Sequence, residues 1–191
     1  MQTIELTNSY TCRYGAPTVS RVHPEIFGYR YFGECMSCET CDDACCQFGV
    51  DVDVENVTRI IAAFGESIRA WFGPRVNDLA FPGGGYHRTK TSDRGCLFRN
   101  PERGCSLHAH CLEQGVDYHE LKPMVSCLFP LTFDDGLLHA SDEVCDTSLY
   151  CLCSRISLYR GVRDELAYYF SGLIDEIDIL EQMYQDAKVA Q

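Results

Sequence analysis

The chain has no apolar run of about eighteen residues, so nothing in it is read as crossing a bilayer. It has no excess of basic residues. Sixteen Lys and Arg stand against twenty-eight Asp and Glu, for a formal charge of −12, and the cations are scattered rather than striped. Nucleic-acid binding requires phosphate neutralisation, and this balance argues against it. An acidic surface also disfavours anionic membranes. The first residues, Met-Gln-Thr-Ile-Glu-Leu, lack the basic and apolar regions of a secretory signal, so the expected compartment is the reducing cytoplasm. His119-Glu120 lacks the second histidine of a zinc-protease helix. Pro82-Gly-Gly-Gly85 lacks the strand–loop–helix setting and the Lys-Ser/Thr of a phosphate loop, and reads as a turn.

Cysteine is what the chain has in abundance, thirteen in 191 residues. Five of these fall in one twelve-residue stretch, Cys35, Cys38, Cys41, Cys45 and Cys46. Packing does not ask for such density, because a core takes Val or Leu as readily. In a reducing compartment the cluster reads as soft metal ligands rather than disulfides, and the odd total would leave one thiol over after full pairing. On a helix Cys38, Cys41 and Cys45 would share one face, and a loop-to-helix junction would aim thiolates and backbone N–H groups at one spot.

Cys35-x2-Cys38-x2-Cys41-x3-Cys45 has the spacing of a bacterial ferredoxin run. Cys46 stands where ferredoxins carry proline, and no second run follows. A ferredoxin proper is therefore not expected, while an iron–sulfur cluster, a 4Fe–4S cluster included, stays open beside zinc. Zinc needs four converging nitrogen or sulfur ligands, usually as two close pairs. Cys35/Cys38 and Cys41/Cys45 offer such pairs, and later cysteines offer the rest.

Two amphipathic helices are predicted. Residues 53–72 carry Val54, Val57, Ile60, Ile61, Phe64, Ile68, Trp71 and Phe72 on one stripe, with Asp53 as cap and Gly73-Pro74 as stop. Residues 161–188 carry a second stripe from Val162 to Tyr184 opposite an acidic face. Ile4 and Leu6 suit a short strand, Tyr86–Thr91 another, and Ser106–Gln114 a short helix capped by Ser106 and closed by Gly115. Leu128–Phe133, the turn Asp134-Asp135-Gly136 and Leu137–Ala140 read as a hairpin. The expected class is α+β, a small irregular sheet with two long helices around a cysteine-rich metal centre, in a single domain spanning 1–191.

The ordered set of motifs resembles the YkgJ-like cysteine-cluster family, described as zinc- or iron-chelating. Its signature is a Cys-x2-Cys-x2(or 3)-Cys-Cys run, a helix of the D-V/I-x-R-I kind, then Cys-x-Phe, Cys-x-Ile/Leu-Tyr/His and Cys-x-Phe-Pro. Here these are Cys38-x2-Cys41-x3-Cys45-Cys46, Asp51-Val-Asp-Val with Thr58-Arg59-Ile60, Cys96-Leu-Phe98, Cys105-Ser-Leu-His108 and Cys127-Leu-Phe-Pro130. The likeness covers about residues 35–133. It implies that Cys35, Cys38, Cys41, Cys45, Cys46, Cys96, Cys105 and Cys127 are the metal ligands, zinc or iron the cofactor, and that the centre ties residues 35–46 to residues 96–127. Two departures stand out: the first run is spread wider than in many members, and Lys122-Pro123 replaces the usual Arg-Pro in a longer spacer. Some larger relatives are associated with lysine methylation of flagellin. No methyl-donor fingerprint is present here, so that activity is not carried over.

Outside this set, some of Cys12, Cys111, Cys145, Cys151 and Cys153 are expected to be plain buried residues. His108 and His110, two apart, would not share a helix face, so one could face a metal, with a surface or capping role weighed equally against it; His23, His87, His119 and His139 are expected to be structural or exposed. Adjacent carboxylates at Asp42-Asp43 and Asp134-Asp135 read as turns and caps. No thiol is marked as a nucleophile by a neighbouring base. The function read from the sequence is a cytoplasmic metal-binding protein. The alternative is an iron–sulfur or metal-dependent enzyme of unidentified substrate. Nothing identifies a protein partner.

Overall fold

The structure, a computed structural model, describes residues 2–31, 44–144 and 156–190. In chain order its strands and helices are β1 (Ile4–Thr11), β2 (Thr18–Val22), α1 (Glu25–Gly28), β3 (Arg30–Tyr31), β4 (Asp51–Asp53), α2 (Val54–Phe64), β5 (Phe72–Asn77), β6 (Gly85–Thr89), β7 (Thr91–Ser92), β8 (Gly95–Cys96), β9 (Arg99–Asn100), β10 (Gly104–Cys105), α3 (Ser106–Gln114), α4 (Met124–Leu128), β11 (Leu131–Asp134), β12 (Leu137–Ala140), β13 (Ile156–Ser157), α5 (Leu158–Tyr169) and α6 (Leu173–Val189). The class is α+β: helices stand beside small, mostly antiparallel sheets instead of alternating with parallel strands. Among the described residues no helix is long and apolar enough to cross a membrane. The chain divides into two compact units, one made of Met1–Gly33, Leu128–Thr147 and Cys151–Gln191, the other of Glu34–Cys127 and Ser148–Tyr150.

The first unit is built on a four-stranded sheet in the order β1-β2-β12-β11. The predicted hairpin is present as β11–β12, with Asp134 opposite Leu137. Its two-residue loop has φ of 43° at Asp135 and 77° at Gly136. Both values are positive, the turn geometry that matches strand twist and that Asp-Gly favours. The predicted helix over 161–188 is in fact two helices. The chain leaves the α conformation after Tyr169, and Gly172 takes a left-handed φ of 79° before α6 begins. The apolar stripe runs across the break because Leu166, Phe170, Leu173 and Ile177 are all fully buried; a stripe reports burial and not backbone continuity.

Polar contacts join α5 to α6. Ser157 caps α5 and also donates to Glu181, a carboxylate only 1% exposed that Arg160 pairs from the other side. Asp178 accepts from Arg163 at 2.6 Å and from the Tyr159 hydroxyl at 2.7 Å. The Arg163 guanidinium foremost, and the Tyr159 hydroxyl after it, hold the Asp178 carboxyl down at about 2. A depressed folded pKa adds stability that is present above the unfolded value of about 3.9 and is lost as pH falls through about 2. Acid titration of melting temperature is therefore expected to show a loss between about pH 4 and 2 that is shallower in Asp178→Asn. Parallel acid limbs in the two proteins would count against this pair.

The second unit carries the three-stranded antiparallel sheet β4-β6-β5. Val52, Val57, Ile60, Ile68, Phe72, Phe98, Leu107, Cys111 and Leu121 form its core. Asp53 caps α2 as predicted, accepting from Asn56 N at 2.7 Å. The helix expected over 53–72 stops at Phe64. Gly65 has φ of 90°, residues Glu66–Trp71 form a 3-10 turn, and Phe72 opens β5, so Gly73-Pro74 sit in a strand. Ile68 and Phe72 still reach the core from these other conformations. Trp71 packs edge-on against Phe98 with ring centroids 5.0 Å apart, the packing role expected of it. Asn56 and Arg59 on α2 both donate to the Glu120 carbonyl, at 3.1 and 2.9 Å, which fixes the 3-10 turn Tyr118–Glu120 against the helix.

Candidate metal centre

Cys46 ends a 3-10 turn, Ala44–Cys46, that leads into β4. Hydrogen bonds between backbones and a hydroxyl hold this entry in place. Val50 N donates to the Thr89 hydroxyl at 2.8 Å, and Thr89 N donates to the Val50 carbonyl at 2.8 Å. Thr89 belongs to β6, and its hydroxyl also lies 3.4 Å from Cys96 Sγ. One threonine thus touches both the segment after Cys46 and the sulfur of Cys96.

Cys96 sits in β8, paired opposite Thr91 of β7. At the turn of this two-strand hairpin the backbone of Gly95 faces Cys46; a Cβ at Gly95 would lie 2.8 Å from the Cys46 carbonyl oxygen. Three residues on, Arg99 of β9 pairs with Cys105 of β10, and Ser106 N donates to Phe98 O at 2.8 Å. Cys105 is therefore folded back beside the segment that follows Cys96. It occupies the N-cap of α3, so Ser106, expected there, is instead the first residue of the helix. Gly115 closes α3 as expected.

Burial pushes the Cys96 thiol up, and a charge on Cys46 would push it further. The Thr89 hydroxyl and the N–H groups of Phe98 and Arg99 pull it down. Burial raises Cys105 to about 11, Cys46 again adds to the rise, and the N–H groups of His108 and Leu107 and the Lys122 ammonium oppose it. Both sulfurs thus meet the N–H groups two and three residues after their own cysteine. N–H groups in that position stabilise a thiolate. They do not outweigh burial, which keeps both thiols raised. Cys45 and Cys46 Sγ lie 4.0 Å apart.

Cys127 is buried on α4, with its sulfur 3.9 Å from the Lys122 carbonyl oxygen. A ligand atom of His119 lies within 4.8 Å of it. Cys111 is fully buried in the core of the second unit and Cys12 is buried in the first, which matches the plain packing expected of some cysteines. Expectations for Cys35, Cys38, Cys41, Cys145, Cys151 and Cys153 lie outside the described residues. Among the histidines, His108 stacks on Tyr118 at 4.3 Å and His110 packs against Phe64 at 4.6 Å. The structure thus sets Cys105 beside the segment after Cys96 and the backbone of Cys46 against Gly95, while the described ligand atoms that converge within 4.8 Å include those of His119 and Cys127, a grouping compatible with metal binding. Comparison of the chain with protein-family models, with curated proteins and with solved structures gives no match in any of the three.

Proposed function

We propose that the chain is a metal-binding protein of the YkgJ-like kind, working in a reducing compartment and holding zinc or iron through thiolates. The ligands in this reading are Cys46, Cys96, Cys105 and Cys127 with Cys45 beside them, and Cys35, Cys38 and Cys41 from the preceding run. The observation that supports it is the folding of Cys105 back beside the segment after Cys96, with the Cys46 backbone against Gly95 and paired N–H groups meeting the Cys96 and Cys105 sulfurs. A core does not need backbone donors aimed at a neutral thiol, while a bound thiolate does.

A second reading, a 4Fe–4S cluster serving redox chemistry, draws on the same N–H groups together with the Cys35-to-Cys45 spacing. Purification without air, followed by elemental analysis and absorption spectra, separates the two. Colourless protein with stoichiometric zinc is the outcome expected of a closed thiolate site. Brown protein with iron, sulfide and broad absorption near roughly 400 nm is the outcome expected of a cluster. Folded protein that carries neither metal, and takes up neither on addition, overturns both.

A further inference from the structure

Asp117, His119 and Cys127 form a group that the thiolate reading does not use as a unit. Asp117 caps the 3-10 turn Tyr118–Glu120, its carboxylate accepting from the His119 backbone N–H at 3.0 Å. The same carboxylate oxygen lies 2.5 Å from Nδ1 of the His119 ring. A carboxylate on Nδ1 selects the tautomer in which Nδ1 donates and Nε2 accepts, and that is the form in which neutral imidazole binds a metal. The ring has little freedom to leave this pose. Its side chain is 10% exposed, and it stacks on Tyr118 with centroids 4.1 Å apart. Cys127 is 4% exposed, with its sulfur within 4.8 Å of a His119 ligand atom. Nitrogen and sulfur held tetrahedrally at about 2.0 and 2.3 Å from zinc stand ~3.5 Å apart, within a small side-chain rotation of this separation.

A histidine that only caps a turn needs its backbone N–H satisfied, and Asp117 already does that. The further contact to the ring orients the imidazole, and it does so beside a buried thiol. Carboxylate, imidazole and soft ligand in that order form the arrangement that fixes a metal-bound histidine. We propose that His119 is a nitrogen ligand which, with Cys127, binds a zinc-type divalent cation, and that Asp117 is its positioning residue. On binding, the Cys127 thiol gives its proton to solvent and the thiolate takes the ion. The proposal rests on the metal-binding reading in one respect, that Cys127 is a ligand there too.

The test uses the full chain, stripped with chelator and reloaded with zinc under reducing conditions. X-ray absorption at the zinc edge is expected to show imidazole scattering in the wild type that His119→Ala removes. Asp117→Asn is expected to keep the imidazole and weaken zinc binding about 10- to 100-fold, measured by competition with a chelating dye. Sulfur-only coordination in the wild type, or imidazole scattering that survives in His119→Ala, overturns the proposal. If His119→Ala does not fold, the wild-type spectrum and Asp117→Asn decide it: full affinity in Asp117→Asn overturns the positioning role. A wild-type protein that takes up no zinc overturns the thiolate reading and this proposal together, whereas zinc held by sulfur alone overturns only this one.

Discussion

Replacing Cys96 and Cys105 together by serine is expected to empty the centre and lower the melting temperature by about 10 °C. A neutral hydroxyl is a poor substitute for thiolate on zinc or iron, and these two sulfurs come from one folded-back segment, β8 to β10. An ion present at about a thousand times its dissociation constant adds roughly 4 kcal/mol to the folded state. In a chain of this length 1 kcal/mol corresponds to about 2–4 °C. The result must be separated from the ordinary cost of altering half-buried cysteines. Cys111→Ala supplies the control, because Cys111 is fully buried and packs in the same unit but is no candidate ligand. It is expected to lower stability while keeping the metal. Chelated wild type is expected to melt near the double variant. A double variant with full metal content by elemental analysis would remove Cys96 and Cys105 from the ligand set.

What the sequence revealed depended on the range of the interaction. The Asp53 cap, the Gly115 stop and the Asp135-Gly136 turn each follow from a residue's own hydrogen-bonding or φ preference, and all three are present. Both predicted helices overrun the observed ones for one shared reason. A stripe of apolar residues continued past Gly65 and past Gly172, because the core continues there while the backbone changes form. Gly73-Pro74 read as a stop because proline cannot continue a helix, yet it can stand in a strand such as β5.

The candidate site was legible as a set of residue types and not as a geometry. Spacing marks Cys35 to Cys46 as a cluster by itself, whereas Thr89 and Gly95 set the chain after Cys46 against β6 and β8, and the pairing of Arg99 with Cys105 folds Cys105 back. None of those contacts has a local signal. For His119 the sequence excludes one particular motif, the two-histidine helix, and says no more. The fragment Asp117-x-His119 is the signal that was there, a carboxylate placed to reach both a backbone N–H and a ring nitrogen, and it is too common in turns to stand out without Cys127 beside it.

Gly95→Ala is expected to damage metal binding more than its effect on stability would suggest. Gly95 has φ of 92°, so alanine there meets left-handed strain of about 1–2 kcal/mol. Gly65 has nearly the same φ, 90°, and a Cβ there meets nothing within 4 Å. Gly65→Ala therefore measures the strain alone. At Gly95 the new Cβ would also stand 2.8 Å from the Cys46 carbonyl oxygen and 3.2 Å from Gln47 Cα. Both are backbone atoms, and no side-chain rotation relieves them. The Cys46 segment must then move off β8, shifting its sulfur relative to the β8–β10 segment that carries Cys96 and Cys105. Metal coordination tolerates errors of only about 0.2 Å in its bond lengths, so a displacement several times larger breaks the set. Metal affinity in Gly95→Ala is expected to fall by roughly 100-fold or more, with Gly65→Ala within a few-fold of the wild type at comparable thermal destabilisation. Equal affinities in the two variants would mean that the ligands do not depend on how the Cys46 segment rests on β8, and Cys46 would leave the site.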